Sequence, residues 1–378
     1  MDVVAVLLLI VLANWLFITY ITNRFLMNKT AYLWWLFAIH SLMTAAYMIY
    51  VAYSASDSVA YYNKTSNDEN WFALWESGTA FIHFVAWPFI HFADLSYYAT
   101  MLCFSFMGYV GIVLFYIATS ENIQLPTVWN KLSLVEIVYL LPNLHFWSAS
   151  LGKGSVILAG LSLCTFGLSR FDRRPFLLLL GAIIVYMVRP HILFTLLLSI
   201  MVGVLITSDG ISFYLRMLVF FIAAIAFWYI NDTVLQFADM DSLNVFNADS
   251  LNHRAQELGK ASSGVNISEY NLFAKLFTFW FRPLFVDSGG IVGVFASVEN
   301  VLYVGMFLFI IKQMWVAASV INGWFKILLI FFLLGSFILA QVSGNLGIAM
   351  RQKAQMMPFF FIVFCKMATY LPSSSTRN

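Results

Sequence analysis

The chain has 378 residues, of which 62% are hydrophobic and only 10% charged, against about 25% charged in an ordinary soluble domain. Phe occurs 38 times and Trp 12 times, and the formal net charge is +2. These figures exclude a soluble globular enzyme and a basic nucleic-acid binder, and they indicate an all-α polytopic integral membrane protein.

A bilayer core takes about 20 mostly apolar residues per helix. In chain order, spans are expected at 3–20, 31–53, 96–119, 132–150, 154–169, 175–188, 191–208, 212–230, 290–311, 323–341 and 355–371. That is about eleven spans in a single transmembrane domain, 1–378. The first span lacks a basic leader and a small-residue cleavage site, so it reads as a retained helix. Two loops, 54–95 and 231–289, are set apart. The first holds TAFIHFVAWPFIHFADL, residues 79–95, and the second holds Leu272–Phe285. Both suit interfacial or re-entrant helices.

Basic residues in short loops set the orientation. With the N-terminus outside and the C-terminus in the cytoplasm, Arg24, Lys29, Lys131, Arg170, Arg173, Arg174, Arg216, Lys312, Lys326 and Arg377 all fall inside. Asp57, Lys153, Arg189, His191, Arg282, Arg351 and Lys353 then gather on the outer face and need another explanation. Asp57 directly follows the second span, as a general base or as a helix cap. In LPNLHFWSASLGKG, residues 141–154, Pro142 breaks the helix. His145 and a glycine-flanked Lys153 follow. Backbone N–H groups beside a lysine suit an anion, whereas a lysine in a hairpin turn merely snorkels. Arg189 and His191 flank a proline in VRPHI, Arg282 sits in FWFRPLF, and Arg351 and Lys353 precede the last span. Arginine offers a planar donor fork that matches phosphate oxygens.

Cys103, Cys164 and Cys365 lie in apolar segments and read as buried hydrophobes. No paired-His metal spacing, Walker loop or G-x-S-x-G is present, so neither a metal nor another cofactor is implied.

Taken together, Asp57 after an early span, P-x-x-H-x-W-S-x-x-x-x-K at 142–153, R-P at 189–190, R-P-L at 282–284 and G-N-x-G-x-x-x-R-Q-K at 344–353 before a final P-F-F resemble bacterial polysaccharide repeat-unit polymerases of the Wzy type. They also resemble the wider GT-C class of multispan glycosyltransferases. The resemblance implies a GT-C-like fold in the bacterial inner membrane. It implies transfer of a glycan from a polyprenyl-diphosphate donor to an acceptor sugar at the outer leaflet, for O-antigen, capsule or exopolysaccharide assembly. Partners would be the lipid-linked glycan, membrane lipid and other polysaccharide-assembly proteins. Asp57 would be the base; Lys153, Arg282 and Arg351 would hold phosphate or glycan, with Arg189, His145, His191 and Lys353 around them. One departure is that Asp57 lacks the adjacent acid common in the GT-C class. The alternatives are a transporter or flippase of the same lipid-linked glycan, and a structural subunit of an envelope complex. A transporter is expected to place polar groups near the midplane and to show internal repeats; here the polar set clusters at one face.

Overall fold

The computed structural model describes residues 2–25, 28–54, 56–129, 131–207, 270–287, 290–317, 322–343 and 345–370, with isolated positions between 214 and 225. The span expected at 212–230 and most of the loop 231–289 lie outside the described residues. Within them the chain is helical, apart from one small hairpin of β1 (Thr127–Trp129) and β2 (Leu132–Ser133). Among the described residues, five helices are long and apolar enough to cross a membrane, or six if one bent pair counts as a span. This is an all-α membrane protein.

The chain divides into two compact units, Met1–Pro190 and His191–Asn378. Unit 1 holds α1 (Asp2–Arg24), α2 (Thr30–Tyr53), α3 (Asp57–Asn67), α4 (Thr79–Trp87), α5 (Tyr97–Asn122), α6 (Leu134–Val138), α7 (Pro142–Ser148), α8 (Lys153–Ser169) and α9 (Pro175–Val188). The core of the unit is α5, with Phe104, Tyr109, Ile112, Phe115 and Tyr116 all buried. Around it, α1 and α9 leave leucines and aromatics such as Leu8 and Phe176 exposed, as lipid-facing helices do. Small residues bring α8 and α9 together: a Cβ on Gly181 would meet the Cys164 nitrogen at 2.7 Å. Without a hydrophobic drive between helices in lipid, such close approach is what holds a pair.

The segment 132–150 is not the single span its composition suggests. Glu136 closes a capping box with Ser133 at the start of α6, and Pro142 opens α7 as its first residue, where a missing N–H costs nothing. The segment therefore splits into a five-residue and a seven-residue helix.

Helix directions define two faces of unit 1. Asp2, at the start of α1, accepts from the Ser96 backbone N–H before α5 at 2.8 Å. The first face thus carries the start of α1, α3, α4 and a π-turn at Pro88–Phe92, the start of α8 and the end of α9. It holds six acids (Asp2, Asp57, Asp68, Glu69, Glu76, Asp94) against Lys64, Lys153 and Arg189. The second face reverses this: Arg24, Lys29, Lys131, Arg170, Arg173 and Arg174 against Glu121, Glu136 and Asp172. Arg174 grips Glu121 with both terminal nitrogens, at 2.8 and 2.7 Å, and stacks over Phe166 at 3.7 Å. Lys29 pairs with Glu136.

Unit 2 holds α10 (Pro190–Ile206), α11 (Leu272–Phe281), α12 (Gly290–Ala317), α13 (Gly323–Val342) and α14 (Leu346–Ala368). Asparagines start three of these: Asn271 accepts from Ala274 N, Asn322 from Phe325 N, and Asn345 from Gly347 and Ile348 N. α13 and α14 pack through aromatics, with Phe331 4.7 Å from Phe359 and Phe332 5.5 Å from Phe360.

Candidate functional site

The sequence candidates fall four in each unit. In unit 1 the centre is the joint between α7 and α8, two half-helices bent by 113°. The turn is tight because the chain has little side chain there. A Cβ on Gly154 would sit 2.6 Å from the Trp147 carbonyl oxygen, and one on Gly108 of α5 would strike the Ser148 carbonyl. Lys153 is the first residue of α8 and half-buried. It stands at the N-terminal end of α8, where the N–H groups of the first turn and the positive end of the helix dipole lie.

Two short helices cover this elbow. Tyr61 of α3 lies against Gly152, 3.1 Å from where a Cβ would be. His83 of α4 is buried and its Nδ1 meets Thr65 Oγ1 at 2.8 Å. Thr65 donates its own proton to the Tyr61 carbonyl at 2.8 Å, so Nδ1 is the donor to Thr65 and Nε2 carries the lone pair of the neutral ring. Burial, with the positive charges of Lys64 and Lys153, holds this imidazole below its ordinary value. It is neutral at pH 7. The cover is rigid: Trp71 stacks on Trp87 at 5.5 Å, and Trp87 on His91 at 4.4 Å. Both indole N–H groups are used internally, on the Phe84 and Asp68 carbonyls. The cover is tied to the end of α9 by the Gly78 N–H, which donates to the Met187 carbonyl at 2.6 Å.

Asp57 is exposed in the first turn of α3, where Ser56 is the capping residue. Arg189 is buried just past α9. His145 is fully buried within the bundle, 3.1 Å from His40 of α2 through their Nδ1 atoms and 2.8 Å from the Tyr139 carbonyl. His40 was not singled out from the sequence, although one histidine inside an apolar span is itself a signal.

In unit 2, Arg282 and Lys353 meet at the turn after α11. Arg282 Nε donates to Asp287 at 2.6 Å. Lys353 of α14 is buried to 1% exposure and donates to Asn300 Oδ1 at 2.6 Å and to the carbonyls of Trp280 and Arg282 at 3.3 and 3.4 Å. Asn300 in turn donates to the Pro283 carbonyl at 2.7 Å. The ammonium of Lys353 thus ties α14 to α12 and to the α11 turn. Arg351 is half-buried and lies about 200° around the helix from Lys353. His191 is half-buried in the first turn of α10, its carbonyl accepting from Thr195 at 2.8 Å. Lys275 of α11, buried and 3.2 Å from Gln341 Oε1, joins these cations; the sequence hides it inside LFAKLFTFWF.

Among the described residues no group of three or more His, Cys, Asp or Glu side chains is placed to hold a metal ion. The described sites offer cations, hydroxyls and neutral imidazoles, a set suited to binding an anion and positioning a hydroxyl. Comparison of the chain with protein-family models, curated proteins and solved structures finds no match.

Proposed function

We propose that this protein is a membrane glycosyltransferase of the polysaccharide-polymerase type. It takes a glycan from a polyprenyl-diphosphate donor and passes it to an acceptor sugar at the first face of unit 1. The observation that carries this is the elbow. A broken span places Lys153 and the N–H groups of α8 under a fixed cover of short helices, and a lipid-borne diphosphate needs such a cation at membrane depth. The cation would stabilise charge building on the leaving diphosphate. Asp57 is the proposed base, and His83, neutral beside Lys153, is a second group there able to take a proton. Within unit 2, Arg282 and Arg351 are proposed separately as groups that hold phosphate or glycan. The proposal takes the basic second face as cytoplasmic, in keeping with the positive-inside rule, and has the N-terminus and the elbow on the outer side of a bacterial inner membrane and the C-terminus in the cytoplasm.

One observation favours the second reading, transport of the lipid-linked glycan: a half-broken span and a buried imidazole pair in one bundle are features of transporters. The test uses sealed proteoliposomes with a fluorescent polyprenyl-diphosphate oligosaccharide and free acceptor. Transferase activity yields a longer glycan, at least tenfold less with Lys153→Ala. Movement of donor across the bilayer without elongation selects the transporter; neither result leaves a structural subunit.

A further inference from the structure

The His40–His145 contact joins the middle of α2 to the half-span that ends at the elbow. Its hydrogen bonds fix where the protons are. The Tyr139 carbonyl only accepts, so His145 Nε2, 2.8 Å away, carries a proton and the Nδ1 of its neutral ring is bare. Nδ1 of His40, 3.1 Å off, must then donate to it. That leaves His40 Nε2 bare, to accept from Ser105 Oγ at 3.0 Å once Thr44 Oγ1, 2.6 Å from that hydroxyl, turns its proton from the His40 carbonyl to Ser105. The joint is satisfied with both rings neutral.

A third proton would find a hydrogen-bond acceptor in the Ser105 carbonyl, 2.9 Å from His40 Nε2, but no counter-charge among the described residues. The titratable groups around the pair are phenols: Tyr109 of α5, 5.8 Å from His40 ring to ring, and Tyr139, which faces His145 through its carbonyl. The carboxylate of Glu136 is taken up by Lys29, Ser133 and Tyr116. An unpaired charge in an apolar interior is too costly to keep, so a protonated ring has to reach water.

We propose that the His40–His145 joint is an acid-released latch on the elbow. With both rings neutral it holds α7 against α2 and α5 and fixes Lys153. Protonation of either ring is incompatible with that packing and swings α7 free. The consequence for transfer, loss of the Lys153 site in acid, rests on the function proposed above; the latch itself is read without substrate.

The test is hydrogen exchange by mass spectrometry on the full chain in detergent, at pH 7.5 and 5.5, each corrected for intrinsic rate. Protection of 142–152 is expected to fall at least tenfold at the lower pH while that of α5 is kept. With His40→Gln and His145→Gln combined in one chain, no ring is left in the joint to charge, and the pH dependence should flatten; His83→Gln should leave it in place. Equal protection of 142–152 at both pH values in the wild-type chain overturns the latch, whether or not the variants fold. So does a dependence that survives the double glutamine variant or vanishes with His83→Gln.

Discussion

The two units use the cations of similar sequence motifs in opposite ways. In unit 1, Lys153 opens a helix at a broken span, half-buried beneath a cover of its own. In unit 2, Lys353 is buried to 1% exposure and ringed by Asn300 and two backbone carbonyls, and Arg282 is held by Asp287. Read along the chain, G-K-G and R-Q-K look alike as anion sites. The difference lies in what the fold supplies: where nearby helices end and leave carbonyls unpaired, a buried ammonium completes their hydrogen bonds and becomes part of the packing.

Substitutions break or sharpen this contrast. The largest effect is expected from Lys353→Met, which strands Asn300 Oδ1 and two carbonyls in the interior. It should cost about 3 kcal/mol, read as a drop in the thermal unfolding midpoint in detergent. A normally stable Lys353→Met chain that had lost activity would make Lys353 a ligand group after all. Lys153→Ala should do the reverse: stability changes by no more than about 0.5 kcal/mol, while donor binding weakens at least tenfold. Asp287→Asn separates two roles for Arg282. If the pair only braces the α11 turn, stability falls by about 1 kcal/mol with donor affinity unchanged. If Arg282 binds phosphate, releasing its guanidinium raises donor affinity.

A pH prediction sharpens the account of the second face. Burial works to raise the Glu136 carboxyl, but hydrogen bonds from Lys29 and Ser133 outweigh it and hold the group below its ordinary value. A carboxylate depressed in the folded state adds stability above the ordinary carboxylate range, and that stability is lost as pH falls through the depressed value. Unfolding of the wild-type chain should therefore steepen below about pH 4.3, and Glu136→Gln should remove that part of the acid dependence. The smallest structural effect belongs to Asp57→Asn: the residue is exposed and Ser56 does the capping, so stability should not change. Loss of transfer in that variant identifies a base; retained transfer passes the role to His83 or to no residue.

Much of unit 1 can be read from its residues. The runs at α1, α2 and α5 are long and uniformly apolar, Pro142 and the glycines mark the break, and the loop charges divide by sign. What could not be read is pairing across the bundle. His40 and His145 are 105 positions apart, and nothing local to either shows the other. The split of 132–150 was missed for a related reason: its composition is that of a span, and only the capping box at Ser133 and the proline at the start of α7 decide against one helix. Lys353 misleads because its partners are three oxygens on two other segments, two of them main-chain atoms that carry no sequence signature.

The claim on which the rest depends is that the elbow of unit 1 holds a lipid diphosphate. The direct measurement is binding of undecaprenyl diphosphate to the detergent-purified full chain by native mass spectrometry, with undecaprenol as the uncharged control. The account predicts selective retention of the diphosphate by the wild-type chain and its loss in Lys153→Ala, with the mutant still folded by its unfolding midpoint. Equal retention of diphosphate and alcohol, or undiminished diphosphate binding by Lys153→Ala, would contradict it.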